Sequence, residues 1–120
     1  MVSLISTLTA GTASGETILD AQGLDVLLTG HTVYIDTPGG EAPVWYGADG
    51  RSAAALPNGV TLIGQWAIDG ASYCVDWENG PQNSCTRVTK TDGAIAFTDI
   101  ASGDPRGTVA RIVPGNAENL

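Results

Sequence analysis

Two stretches in the middle of the chain alternate apolar and polar positions with a period of two. Val60, Leu62, Trp66 and Ile68 share one face with Gly64, while Thr61 and Gln65 fall on the other. Tyr73, Val75 and Trp77 alternate in the same way with Ser72, Cys74, Asp76 and Glu78. That period gives a strand one buried face and one wetted face. With 31–36, 43–47, 51–56, 85–91, 94–99 and 107–113 as further candidates, the sequence predicts eight strands.

Turn dipeptides separate the segments: Gly39-Gly40, Asp49-Gly50, Asn58-Gly59, Asp69-Gly70, Asn79-Gly80, Asp92-Gly93 and Ser102-Gly103. Glycine takes positive φ without a Cβ clash, and Asn or Asp tolerates it better than most residues, so these pairs suit tight hairpins. From Gly50 to Gly103 the successive intervals are 9, 11, 10, 13 and 10 residues, one strand and one turn each time. Connections this short cannot cross over to make parallel pairs, so neighbours in sequence become antiparallel neighbours in space. The expected fold is all-β, an up-and-down antiparallel meander closing into a barrel.

One helix precedes the strands. Asp20 can cap it, Leu24, Leu27 and Leu28 form its apolar stripe, and Gly30 can take the left-handed position after its end. Gly23 inside it costs about 1 kcal/mol relative to Ala, so the helix must lean on packing. It is expected to cover one end of the barrel or an exposed edge. The tail after Pro114 has no apolar pattern and is expected to be loose.

A chain of 120 residues, 42% hydrophobic and 15% charged, fits one globular domain. Residues 2–13 stand apart, apolar with scattered Ser and Thr and no charge, and they end in Ala13-Ser14-Gly15, a small-x-small pattern that a signal peptidase could cut. Residues 1–15 therefore read as a signal-peptide remnant, or as a flexible arm, ahead of a single barrel domain at 16–120. Five Lys and Arg against thirteen Asp and Glu leave a net charge of −8. Such a surface repels phosphate backbones and anionic lipid, which argues against nucleic acid and membrane surfaces as partners. No apolar run reaches the roughly 18–20 residues needed to insert across a bilayer.

Cys74 and Cys85 lie equidistant from the centre of Asn79-Gly80, so a hairpin turning there would set them face to face. Opposed cysteines in an antiparallel pair can bridge. The pairing fits an oxidising compartment, periplasmic or secreted. Because Cys74 shares its face with Asp76 and Glu78, the bridge is expected outside. Pro81 has no N–H to close a two-residue turn, so the loop should be wider than Asn-Gly alone.

Gly64-Gln65-Trp66, followed by Cys74, Trp77 and Cys85, resembles the calycin-type, lipocalin-like barrels and small exported proteobacterial proteins of unknown function with a Gly-x-Trp…Cys…Cys core. The resemblance covers about residues 30–113 and implies a barrel whose tryptophan, here Trp66, is crossed at the floor by an arginine of the last strand, here Arg111. The lipocalin motif sits on the first strand, whereas this one falls mid-chain.

Candidate chemistry is sparse. His31, the only histidine, follows a helix end and opens a strand; as a general base it would lack a fixed acid partner. Asp49, Asp69 and Asp92 each precede a turn glycine, and no run has calcium-loop spacing. No metal, cofactor or catalytic residue is expected. The aromatics are more suggestive. Trp45 and Tyr46 are adjacent, so only one can face inward, while Tyr34, Trp66, Tyr73 and Trp77 could line a cavity in a barrel with many small inward residues. Arg111, in register with Val109 and Val113, is expected to point inward as an anchor or a stacking lid. These residues support an exported, non-catalytic module binding a small, partly apolar ligand. The alternatives are a surface-acting inhibitor of a basic protein such as lysozyme, working through loops 81–84 or 38–43, and a lyase or isomerase using Tyr and Arg inside the cavity.

Overall fold

The computed structural model describes residues 15–120. The expectation for the N-terminal segment therefore lies, Gly15 apart, outside the described residues. A two-residue strand β1 (Thr17–Ile18) and a helix α1 (Ala21–Leu28) lead into β2 (His31–Thr37), β3 (Gly40–Tyr46), β4 (Arg51–Ala55) and β5 (Thr61–Asp69). There follow β6 (Ser72–Trp77), β7 (Ser84–Thr91), β8 (Ala94–Asp99) and β9 (Pro105–Pro114). Each strand from β2 onward pairs antiparallel with the next, and β9 returns to pair with β2. The result is a closed eight-stranded antiparallel barrel. β1 lies outside the meander and pairs with β7 through Thr17–Lys90 and Ile18–Thr89, beyond the stretch that β6 covers.

The glycines of the turns work as their backbone freedom suggests. Gly40, Gly50, Gly59, Gly70, Gly93 and Gly103 all have positive φ, and Asp92 joins Gly93 there at φ 50°. The exception is Gly80. The Trp77 N–H donates to the Pro81 carbonyl, and positive φ moves to Asn83, so the loop is indeed wider than its Asn-Gly pair.

The two ends of the barrel differ. The Asp20 carboxylate accepts the Gly23 N–H at 2.9 Å, and α1 then packs against β2, β5 and β6. Its Leu24 and Leu28 are fully buried in the core, so α1 closes that end. Because strand direction alternates, the connections 38–39, 56–60, 78–83 and 100–104 all gather at the opposite end. No helix covers that end among the described residues.

Cys74 and Cys85 are direct cross-strand partners joined by a disulfide, with Cα atoms 4.0 Å apart. Tyr73 and Val75 on either side of Cys74 are buried inward, which puts the bridge on the outer face. Gly64 faces inward at a place where β5 and β6 approach closely. A Cβ there would lie 2.3 Å from the Asp76 carbonyl oxygen and 2.9 Å from the Trp77 Cα.

Two expectations are overturned. The tail after Pro114 is stitched onto the outer face of β2. The Thr32 hydroxyl donates to the Gly115 carbonyl at 2.7 Å and accepts the Ala117 N–H at 3.0 Å, while the Tyr34 hydroxyl donates to the Glu118 carboxylate. These ties are polar, so no apolar pattern announced them. Arg111 points outward. Tyr34 pairs with Arg111 but Ile35 pairs with Val109, leaving Ala110 as an extra residue, a bulge that reverses the inside–outside alternation. Val109 and Ile112 then both pack against the core. The Arg111 guanidinium lies outside, 3.8 Å from the Tyr34 ring centroid and 2.9 Å from the Glu41 carboxylate.

Gly64→Ala should lower the unfolding free energy by roughly 2–3 kcal/mol, because its methyl group meets fixed backbone. Urea denaturation checks this, and an unchanged midpoint would show that β5 and β6 can part to admit a side chain.

Candidate ligand-binding lumen

The interior is built in two storeys. Above α1 lies an aromatic floor in which Tyr46, Trp66, Tyr73 and Phe97 meet edge to face. Ring centroids are 5.2 Å apart for Tyr46–Trp66, 5.3 Å for Tyr46–Tyr73 and 6.0 Å for Tyr73–Phe97. Such geometry places ring edges against π faces. The Trp66 indole N–H donates to the Gly47 carbonyl at 2.9 Å, so the floor is polar-satisfied at this point as well as packed.

Above the floor the barrel opens into a cavity of about 180 Å³. Its walls are Val44, Val75 and Trp77, and the inward positions Ala42 and Ala54 are too small to fill the space between them. Thr37, Leu56, Ser84 and Arg106 reach it from the uncovered end. Among the described residues, no carboxylate and no histidine lines it.

Arg106 reaches the mouth because of a second irregularity. Phe97 pairs with Gly107 but Thr98 pairs with Pro105, so Arg106 is the extra residue of a bulge. Bulges re-aim side chains. Its guanidinium donates to the Asp99 carboxylate and, at 2.7 Å, to the Ser84 hydroxyl. The Ser102 hydroxyl and backbone N–H donate to the same carboxylate and, with Arg106, hold Asp99 below the usual carboxylate range.

At the base of the cavity the Tyr46 and Tyr73 hydroxyls share a 2.7 Å hydrogen bond, both residues being almost fully buried. Loss of water disfavours the phenolate. Burial pushes Tyr73 up to about 12, with hydrogen bonds from Tyr46 and Thr86 acting the other way, and pushes Tyr46 well above its ordinary value. At neutral pH both phenols are therefore hydrogen-bond donors and weak acids.

Of the aromatic and basic residues expected at a site, Tyr46, Tyr73 and Trp77 come together at the cavity. Trp66 belongs to the floor. Tyr34 and Arg111 stack on the outer face, and Trp45, the neighbour of inward Tyr46, is half-buried outside as the cross-strand partner of Thr32. Thr86, Phe97, Ser84 and Arg106 escaped the sequence reading. Phe97 was visible only as one apolar position of the strand 94–99, and Arg106 lay just before the predicted strand 107–113. His31 lies with its Nδ1 2.9 Å from the Thr29 carbonyl, at the end of α1.

The fold is thus an all-β closed barrel with a helix across one end and a disulfide in its wall, which is consistent with a calycin-like fold. The disulfide suggests an oxidising, non-cytoplasmic compartment. No family model, curated protein or solved structure matches the chain. Among the described residues no helix is long and apolar enough to cross a membrane, and no cluster of His, Cys, Asp or Glu could hold a metal ion.

The chain has three tyrosines, and all three are shifted upward, Tyr34 mainly by its hydrogen bond to the Glu118 carboxylate. Near-ultraviolet titration of the folded protein should show little phenolate at pH 10, where the urea-unfolded chain is about half ionised. Because the folded values are raised, the stability this contributes is complete below about pH 10. It is lost as pH climbs towards about 12, where Tyr73 ionises in the folded chain. Half-ionised phenols in the native protein at pH 10 would contradict the buried pair.

Proposed function

We propose that the protein is an exported, non-catalytic barrel module that takes a small, largely apolar ligand into its lumen. The observation that carries this reading is the one-ended interior, sealed by α1 and the aromatic floor below and reachable from the opposite end above. A cavity of about 180 Å³ is of the order of a roughly 150 Å³ apolar cavity that takes benzene, so the ligand is a single-ring or short branched molecule. Burial of its apolar surface, at about 25 cal/mol per Å², supplies the affinity. Export rests on the disulfide and on the small-x-small pattern at Ala13-Ser14-Gly15.

Titration with single-ring probes, read by tryptophan fluorescence, tests the reading. Trp77 lines the cavity and Trp45 does not, so Trp77→Phe should remove most of the response while Trp45→Phe retains it. A panel that produces no response, together with salt-sensitive capture of a basic protein such as lysozyme, would favour instead a surface-acting module that uses the acidic exterior and the segments 81–84 or 38–43.

A further inference from the structure

The hydroxyl pair at the base of the lumen carries one proton more than its own hydrogen bond uses. Tyr46 and Tyr73 carry two hydroxyl protons, and the 2.7 Å bond between them uses one. Thr86, the cross-strand partner of Tyr73, sets a third hydroxyl against it. A row of three hydroxyls carries three protons and can make at most two internal hydrogen bonds, whichever way the row is polarised. One proton is left over. All three residues line the cavity and are at least nine-tenths buried, and among the described residues no carboxylate, imidazole or side-chain amide lines the cavity to receive that proton.

We propose that the Tyr46–Tyr73–Thr86 hydroxyl row is a recognition element, and that the ligand is a neutral, compact apolar molecule with one hydrogen-bond acceptor, a ketone or aldehyde carbonyl, at its buried end. This rests on the lumen reading above and adds the chemical class of ligand. An acceptor-free ligand of the same shape must displace whatever water satisfies the surplus donor, and leaves it unpaired in an apolar setting. Stranding a buried donor is unfavourable enough to be read in affinity. The floor also disfavours an anion at depth, because burial outweighs the charge of Arg106 that reaches both phenols. The phenols there resist ionisation, and Arg106, the cation of the cavity wall, is engaged at the rim by Asp99 and Ser84.

The test compares cyclohexanone with methylenecyclohexane, which differ only by C=O against C=CH₂. Calorimetry on the whole disulfide-bonded protein should show the ketone binding at least about tenfold more tightly. Its carbonyl stretch, read by infrared difference spectroscopy, should fall to lower wavenumber than in alkane solvent. In the Tyr46→Phe/Tyr73→Phe double variant the preference should shrink to within about threefold, with Thr86 as the remaining donor, and the infrared shift should diminish. Equal affinity of the wild-type protein for both rings, or an unshifted carbonyl, overturns the acceptor proposal and leaves the lumen reading standing. Failure of both rings to bind the wild-type protein overturns the lumen reading and this proposal with it. If the double variant does not fold, the wild-type ring comparison and the carbonyl shift still decide the matter.

Discussion

Everything in this molecule depends on β9 finding β2. A meander of eight strands has two edges until its last strand pairs with its first, and an unpaired edge offers backbone donors and acceptors to any passing strand. Closure requires β9 to meet Val33 and Ile35 with apolar side chains turned inward. The bulge at Ala110 makes that possible by admitting both Val109 and Ile112 to the core. Gly107 assists where the backbone passes closest: a Cβ there would lie 2.4 Å from the Asp36 carbonyl oxygen, and its φ of +146° suits glycine. The tail then folds over Thr32 and Tyr34, shielding the seam from outside.

The same closure decides where chemistry can occur. Bulk is concentrated at the helix end, where Leu24, Leu28 and the aromatic floor fill the barrel, and Ala42 and Ala54 leave the other half open. The β6–β7 seam beside the open end is paired only from Tyr73 to Val75, and the disulfide sits in its middle. In the chain-entropy picture a crosslink closing a loop of about ten residues contributes about 2–3 kcal/mol. Covalent reinforcement at this seam keeps the Tyr73–Thr86 wall in place below a wide loop. Polar groups occupy two levels of the lumen, hydroxyls at depth and the Arg106–Asp99–Ser84 group at the rim. A ligand entering passes charge first and meets a neutral donor last.

Most of the fold was legible because its determinants are local. Period-two alternation in β5 and β6, glycines at the corners, the Asp20 cap and the leucines of α1 each act over a few residues, and the structure follows them. Gly64 announced itself only as part of Gly-x-Trp; that its missing side chain lets β5 and β6 meet needs coordinates. What stayed hidden was non-local or parity-breaking. Val109, Arg111 and Val113 alternate cleanly on paper, and a single extra residue in the pairing reverses the assignment. β1 is two residues long, too short for any periodicity, and the tail is held by hydroxyls and a carboxylate. The candidate site was legible in part for the same reason. Tyr46, Tyr73 and Trp77 fall on inward faces of well-patterned strands, whereas Arg106 depends on the bulge at the start of β9.

The central claim is an apolar space above the aromatic floor, open at the end away from the helix. Xenon enters largely apolar cavities of this size and scatters strongly. A crystal pressurised with xenon should therefore show an ordered atom within the barrel among Val44, Val75 and Phe97. Density confined to the outer grooves, with side chains meeting across the barrel axis at that level, would contradict the account.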